Sequence, residues 1–271
     1  MSLRLSAIII IATFASSIVA KRTAFSASFS SKHLVRSTQA LVPSYRSYRL
    51  AVSQDGDMES PPSRVLFVGN SLTYVNNVDQ WVLRLRESSG GPPVEVATCV
   101  KGGASLKRMW QKTKAKREIA EGGFDVVVLQ EDLPETTVDL FHNFCRKFVT
   151  AARDANATPL LHQTWAYQRL PEMTNEDIRS AHQHMSEELG VKIADVGSAR
   201  MQVAQEMPHL NLWAEDLEHP SELGAYLAAL VLYRALFKEP TLGIAHRPED
   251  LADEDATLLQ KIVDEFSEEA H

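Results

Sequence analysis

A chain of 271 residues, 44% hydrophobic and 23% charged, has enough apolar material for one large domain with a buried core. Its formal net charge of −7 argues against a general nucleic-acid binder. Its two cysteines, Cys99 and Cys145, lack CxxC spacing, which excludes a disulfide framework, and they read as buried free thiols.

The N-terminal segment stands apart from the rest. Residues 1–54 hold seven Lys/Arg and no acid, which leaves 21 basic against 35 acidic residues for the remainder. Arg4 precedes an apolar stretch from Ala7 to Ala20 with small residues near its end, the arrangement of a secretory signal. That stretch is too short, and too soon followed by Lys21-Arg22, for a stable membrane span. Residues 21–54 are rich in Ser and Arg, like an organelle transit peptide. The tandem arrangement resembles the bipartite leaders that carry proteins into plastids of secondary origin. The alternatives are a secreted or endomembrane protein with a disordered linker, and a mitochondrial protein. Pro61-Pro62 marks the entry to the folded part. The expected division is thus 1–20 signal-like, 21–62 leader and linker, and 63–271 folded domain.

From residue 64 onward, short apolar runs alternate with amphipathic segments. Strands are predicted at 65–68, 94–100, 125–129, 159–161 and 192–196. Helices are predicted at 79–87, 106–121, 138–155, 175–189, 222–237 and 253–268. Strands that are apolar throughout and separated by helices indicate a parallel sheet covered on both faces. The expected fold is a three-layer α/β/α sandwich with a flavodoxin-like five-stranded sheet in the order 2-1-3-4-5. Such sheets bind ligands beyond the carboxyl ends of their strands, at the switch in strand order. Here the switch brings together the exits of strands one and three.

Ser71 sits at the first of these exits, in Gly69-Asn70-Ser71-Leu72-Thr73. It is either an exposed nucleophile, with its own N–H near a helix start, or an N-capping serine. A serine hydroxyl needs a base, usually a histidine oriented by an acceptor. Asp216 and His219, in Asp216-Leu217-Glu218-His219-Pro220-Ser221, lie close enough for one turn to pair them. Lys101-Gly102-Gly103-Ala104-Ser105 follows strand two, where glycines let backbone N–H groups approach a ligand. Gln130 ends strand three and offers an amide as an oxyanion donor, or as a partner for neighbouring backbone. Trp165 and Tyr167 follow strand four and either line an acyl or alcohol pocket or pack at the sheet edge. His162, His182, His184 and His209 show no zinc spacing and are expected at the surface, so no metal site is predicted.

Together these segments resemble the SGNH (GDSL-like) hydrolase superfamily, over residues 64–237 at least. The resemblance makes Ser71 the nucleophile, Asp216 and His219 the DxxH pair, and Gly103 (or Gly102) an oxyanion donor. Gln130 falls where many members place an Asn, and Asn70 replaces the Asp of GDS. A subgroup of the superfamily is similar in both departures, with segments like Val127–Glu131 and Thr164-Trp165-Ala166. The resemblance implies an esterase that acts through a Ser-His-Asp triad and an acyl-enzyme without a cofactor, on a small-molecule or carbohydrate ester. It leans toward a small acyl group such as acetyl. The alternatives are a lipase or thioesterase of the same fold and a catalytically silent binding module. A nucleotide or flavin binder is disfavoured, because the first strand-to-helix loop has neither G-x-G-x-x-G nor a P-loop.

Overall fold

The centre of the sheet is built from runs that have no polar face to offer water. In the computed structural model, which describes residues 60–269, five strands form: β1 (Arg64–Gly69), β2 (Glu95–Val100), β3 (Val126–Gln130), β4 (Thr158–Gln163) and β5 (Lys192–Asp195). They pair in parallel in the order β2-β1-β3-β4-β5, as expected. The register sets Val65 against both Val96 and Val126, and Leu129 against both Val68 and Leu161. The strands β1, β3 and β4 are buried on both sides, whereas the edge strands β2 and β5 are partly open. The leader and its organelle assignment lie outside the described residues.

Side chains of period two feed two separate cores. Val65, Phe67, Val126 and Val128 face one, and Leu66, Val68, Val127 and Leu129 face the other. The first core is covered by α2 (Val78–Ser88), α7 (Val196–Glu206), α8 (Glu222–Phe237) and α9 (Asp253–Glu269). The second is covered by α3 (Leu106–Lys112), α4 (Ala115–Gly122), α5 (Val138–Asp154) and α6 (Asn175–Leu189). A four-residue helix, α1 (Ser71–Tyr74), leaves β1, and a 3-10 turn (Val75–Asn77) joins it to α2. The helix α8 reads ELGAYLAALVLYRALF and is apolar almost all round, which fits its place between α2, α7 and α9.

Three expectations need correction. The single helix expected over 106–121 is two, because Thr113 adopts an extended backbone. Its hydroxyl donates to the Met109 carbonyl at 2.6 Å and accepts from the Ala115 N–H, so the side chain takes over the bonds that helix would make. Helix α7 falls where no helix was expected. Its Asp195 cap accepts from the Ser198 N–H at 2.9 Å and starts the helix straight out of β5. His162 and His182 are buried rather than exposed. Burial holds their pKa values down, to about 3 and about 4, so both are neutral. Cys99 and Cys145 are free and buried, and burial pushes the Cys145 thiol up to about 12.

Candidate active site

The first strand exit settles which residue caps the helix. Asn70 is the N-cap of α1: its Oδ1 accepts the Leu72 N–H at 2.9 Å, and its carbonyl accepts the Thr73 N–H at 3.1 Å. Ser71 is therefore the first helical residue, and its hydroxyl is not spent on the cap. Asn and Asp are equally good caps, which gives a physical reason why Asn70 can stand where Asp would.

Gln130 braces this turn from behind. Its Oε1 accepts the Asn70 N–H at 2.8 Å and the Thr73 hydroxyl at 3.2 Å, and its Nε2 donates to the Glu131 carbonyl. An N–H at one end and a C=O at the other fix which way the amide points. The side chain is fully buried. The amide offered by the sequence as an oxyanion donor is thus committed to holding the Ser71 turn. Gly69 makes room for it, since a Cβ there would lie 2.5 Å from Gln130 Oε1 and 2.9 Å from Thr73 Oγ1.

The loop after β2 runs alongside. The Lys101 N–H donates to the Gly69 carbonyl, and Ala104 N–H closes a turn on Lys101 at 3.1 Å. Gly103 is left-handed at φ +57, a conformation that glycine holds without strain. A Cβ on Gly102 would sit 2.8 Å from the Tyr74 hydroxyl, which places this loop against α1. Glu131 pins the loop to β3: its Oε1 accepts the Leu106 N–H at 3.0 Å and the Asp132 N–H at 2.7 Å. Burial raises the Glu131 pKa to about 7, against the lowering effect of those two backbone bonds.

The late loop supplies an Asp–His pair. Asp216 Oδ2 lies 2.6 Å from His219 Nδ1. Asp216 Oδ1 accepts the N–H groups of Glu218 (3.0 Å) and His219 (2.9 Å). Burial works to raise the Asp216 pKa, but the His219 ring and these two backbone donors outweigh it and hold the carboxyl down at about 2. With Nδ1 donating to Asp216, Nε2 is the basic nitrogen. That atom is buried and has no hydrogen-bond partner.

Neighbouring segments lash this loop in place. Asn76, five residues beyond Ser71, donates from Nδ2 to the Pro220 carbonyl at 2.7 Å, joining the serine and histidine segments. Trp165 Nε1 donates to the Glu218 carbonyl at 3.0 Å, and the Gln168 N–H donates to the Leu217 carbonyl at 3.0 Å. Arg169 bridges Glu218 and Glu135. Tyr167 donates to Asp132 at 2.9 Å, so the exits of β3 and β4 are joined as well. The ring of Trp165 is fully buried, with the Arg200 guanidinium 4.1 Å from its centroid. Trp165 and Tyr167 border a cavity of about 410 Å³ whose lining does not include Ser71 or His219. Trp165 therefore acts on the His219 loop rather than presenting an open face to the serine.

The structure thus pairs Asp216 with His219 directly, and sets Ser71 and Gly103 on adjoining segments at the switch in strand order. Asn76, Glu131 and Arg169 were missed by sequence reasoning. Only Asn76 left a signal, in the Asn76-Asn77 pair at φ +54 and +59, a conformation that Asn tolerates better than most residues. Among the described residues, no group of three His, Cys, Asp or Glu side chains is placed to hold a metal, and no helix is long and apolar enough to cross a membrane.

A parallel 2-1-3-4-5 sheet, with a serine at the exit of its first strand and an Asp–His pair in a late loop, defines a flavodoxin-like domain. No protein-family model matches the chain, and no curated protein does. Solved structures do. A candidate SGNH hydrolase from Slackia heliotrinireducens is 28% identical, covering 63% of this chain and 97% of its own, at TM-score 0.55. A DUF4886 family protein from Bacteroides uniformis is 20% identical, over 74% and 92%, at 0.56. The acetyl xylan esterase AlAXEase is 16% identical, over 64% and 100%, at 0.55. The chain is thus similar in fold to SGNH (GDSL-like) hydrolases.

Proposed function

We propose that the protein is a serine esterase that cleaves an acyl ester through an acyl-enzyme on Ser71. The observation that carries this reading is the division of labour at the two loops. Asn70 takes the cap and frees the Ser71 hydroxyl, while Asp216 fixes His219 with Nε2 outside any hydrogen bond and Glu218 Oε1 3.9 Å from it.

In this mechanism His219 Nε2 takes the Ser71 proton as Oγ attacks the ester carbonyl. Asp216 holds the tautomer and stabilises the imidazolium. The N–H groups of Ser71 and Gly103 receive the oxyanion, each worth about 3 kcal/mol in the transition state. The proton on Nε2 then passes to the leaving alcohol. Water, deprotonated in turn by His219, attacks the acyl-serine and releases the acid. No step calls on a cofactor. The likeness to an acetyl xylan esterase supports a small acyl group, and a carbohydrate or small-molecule ester is the proposed substrate.

The composition of residues 1–54 supports a plastid destination by way of the secretory pathway, with secretion as the alternative. The mature N-terminus, read by mass spectrometry, tests that part. Hydrolysis of p-nitrophenyl acetate tests the activity. Turnover that Ser71→Ala abolishes is expected, and turnover that survives it removes the nucleophile. No turnover of any acyl ester, thioester or acetylated sugar favours a binding module.

A further inference from the structure

Leu217 lies between the two members of the acid–base pair and is built against its own preference. Its φ is +59, the left-handed region that Gly, Asn and Asp occupy most readily. The turn needs nothing from its side chain. Its N–H donates to the Ala214 carbonyl at 3.2 Å and its carbonyl accepts the Gln168 N–H at 3.0 Å, bonds that any residue but proline makes. The core needs nothing from it either, because the residue is 44% exposed. A large apolar side chain is thus kept in a disfavoured backbone conformation, on the surface, two residues before His219. Tyr74, three residues after Ser71, is similarly open at 43%, with its hydroxyl against Gly102. The segments that carry these two side chains are joined by the Asn76–Pro220 bond.

We propose that Leu217 is a specificity-determining residue that contacts the leaving-alcohol part of the substrate, and that this alcohol carries an apolar face. The inference rests on the esterase reading. In that mechanism the oxyanion is received on the Gly103 side, and His219 Nε2 delivers its proton to the leaving oxygen. The turn that holds His219 therefore borders the alcohol and not the acyl group. An apolar alcohol covering Leu217 removes both surfaces from water, a gain that Asn or Gly in the same turn would not supply.

The test compares two acetates, ethyl acetate and 2-phenylethyl acetate, on the full chain and its Leu217→Asn and Leu217→Ala variants. Asn suits the left-handed turn, so Leu217→Asn is expected to melt no lower than wild type. Yet kcat/KM for 2-phenylethyl acetate falls about tenfold in both variants, the equivalent of one lost leucine contact, while ethyl acetate stays within twofold. Leu217→Met retains most of the wild-type rate on the larger ester. Equal losses on both acetates, or no loss on either, overturn the proposal, and should one variant fail to fold the other decides. Wild type that cleaves neither acetate in a Ser71-dependent way refutes the esterase reading itself, and the inference falls with it.

Discussion

Gln130 Oε1 accepts the backbone N–H of Asn70 at 2.8 Å, across sixty residues of chain, inside a fully buried site. This bond holds the turn that presents Ser71, and the Thr73 hydroxyl shares the same oxygen. Replacing Gln130 by Leu leaves a buried N–H without a partner, at about 1–3 kcal/mol. Gln130→Leu is therefore expected to lower the unfolding free energy by about 2–3 kcal/mol in urea. An unchanged midpoint and slope would show that the brace carries no load. Gly69→Ala is expected to destabilise through the same oxygen, which its Cβ would approach to 2.5 Å.

The Asp216–His219 pair has a pH signature. The folded Asp216 carboxyl lies at about 2, below its ordinary value of 3.8. Its stabilising contribution is therefore complete above about pH 4 and is lost as the pH falls toward 2. The stability difference between wild type and Asp216→Asn should shrink as the pH falls below 4. Asp216→Asn should also lower kcat by roughly 10⁴-fold, because an amide no longer selects the tautomer with Nε2 as base. A loss under tenfold would remove Asp216 from the acid–base machinery.

Glu131 runs the other way. Its folded pKa of about 7 exceeds the ordinary 4.5, so the native state keeps a proton that the unfolded chain has given up. Stability from this residue is full below about pH 4.5 and declines as the pH rises to about 7, by about 3 kcal/mol in all. In Glu131→Gln, whose amide oxygen can still accept from Leu106 and Asp132, that decline should vanish. Chemical denaturation at pH 5 and pH 8 measures it, and parallel slopes for the two proteins would contradict the assignment.

Much of this arrangement was legible in the sequence, for physical reasons. The central strands are short apolar runs that mark a parallel sheet covered on both faces, and the order 2-1-3-4-5 was legible through the resemblance to a flavodoxin-like family. Asp216 and His219 are three apart, so their pairing is local and visible in the chain. What stayed hidden is set by tertiary contact. The cap passed to Asn70 because Gln130, far along the chain, fixes the turn that Asn70 begins. Thr113 split a helix through its own hydroxyl, and the buried His162 lies in β4 with no pattern of its own to mark it. The lashing of the late loop by Trp165, Asn76 and Arg169 joins residues scattered over the whole domain, and no spacing rule captures it.

That lashing is itself testable. Trp165→Phe keeps the ring beside Arg200 but deletes the N–H that holds the Glu218 carbonyl. One such bond is worth about 0.5–1.5 kcal/mol. The expected result is a fall in kcat of up to about tenfold with KM nearly unchanged. A rise in KM at constant kcat would instead make Trp165 a substrate contact.

The central claim is that Ser71 is an activated nucleophile, and covalent capture tests it most directly. The full chain is treated with a p-nitrophenyl alkylphosphonate, and the intact mass and peptide map are read. One phosphonyl adduct is predicted, on the peptide that carries Ser71, absent in Ser71→Ala and formed far more slowly in His219→Ala. A protein that hydrolyses p-nitrophenyl acetate yet carries no adduct at Ser71, or carries it on another residue, would contradict the account.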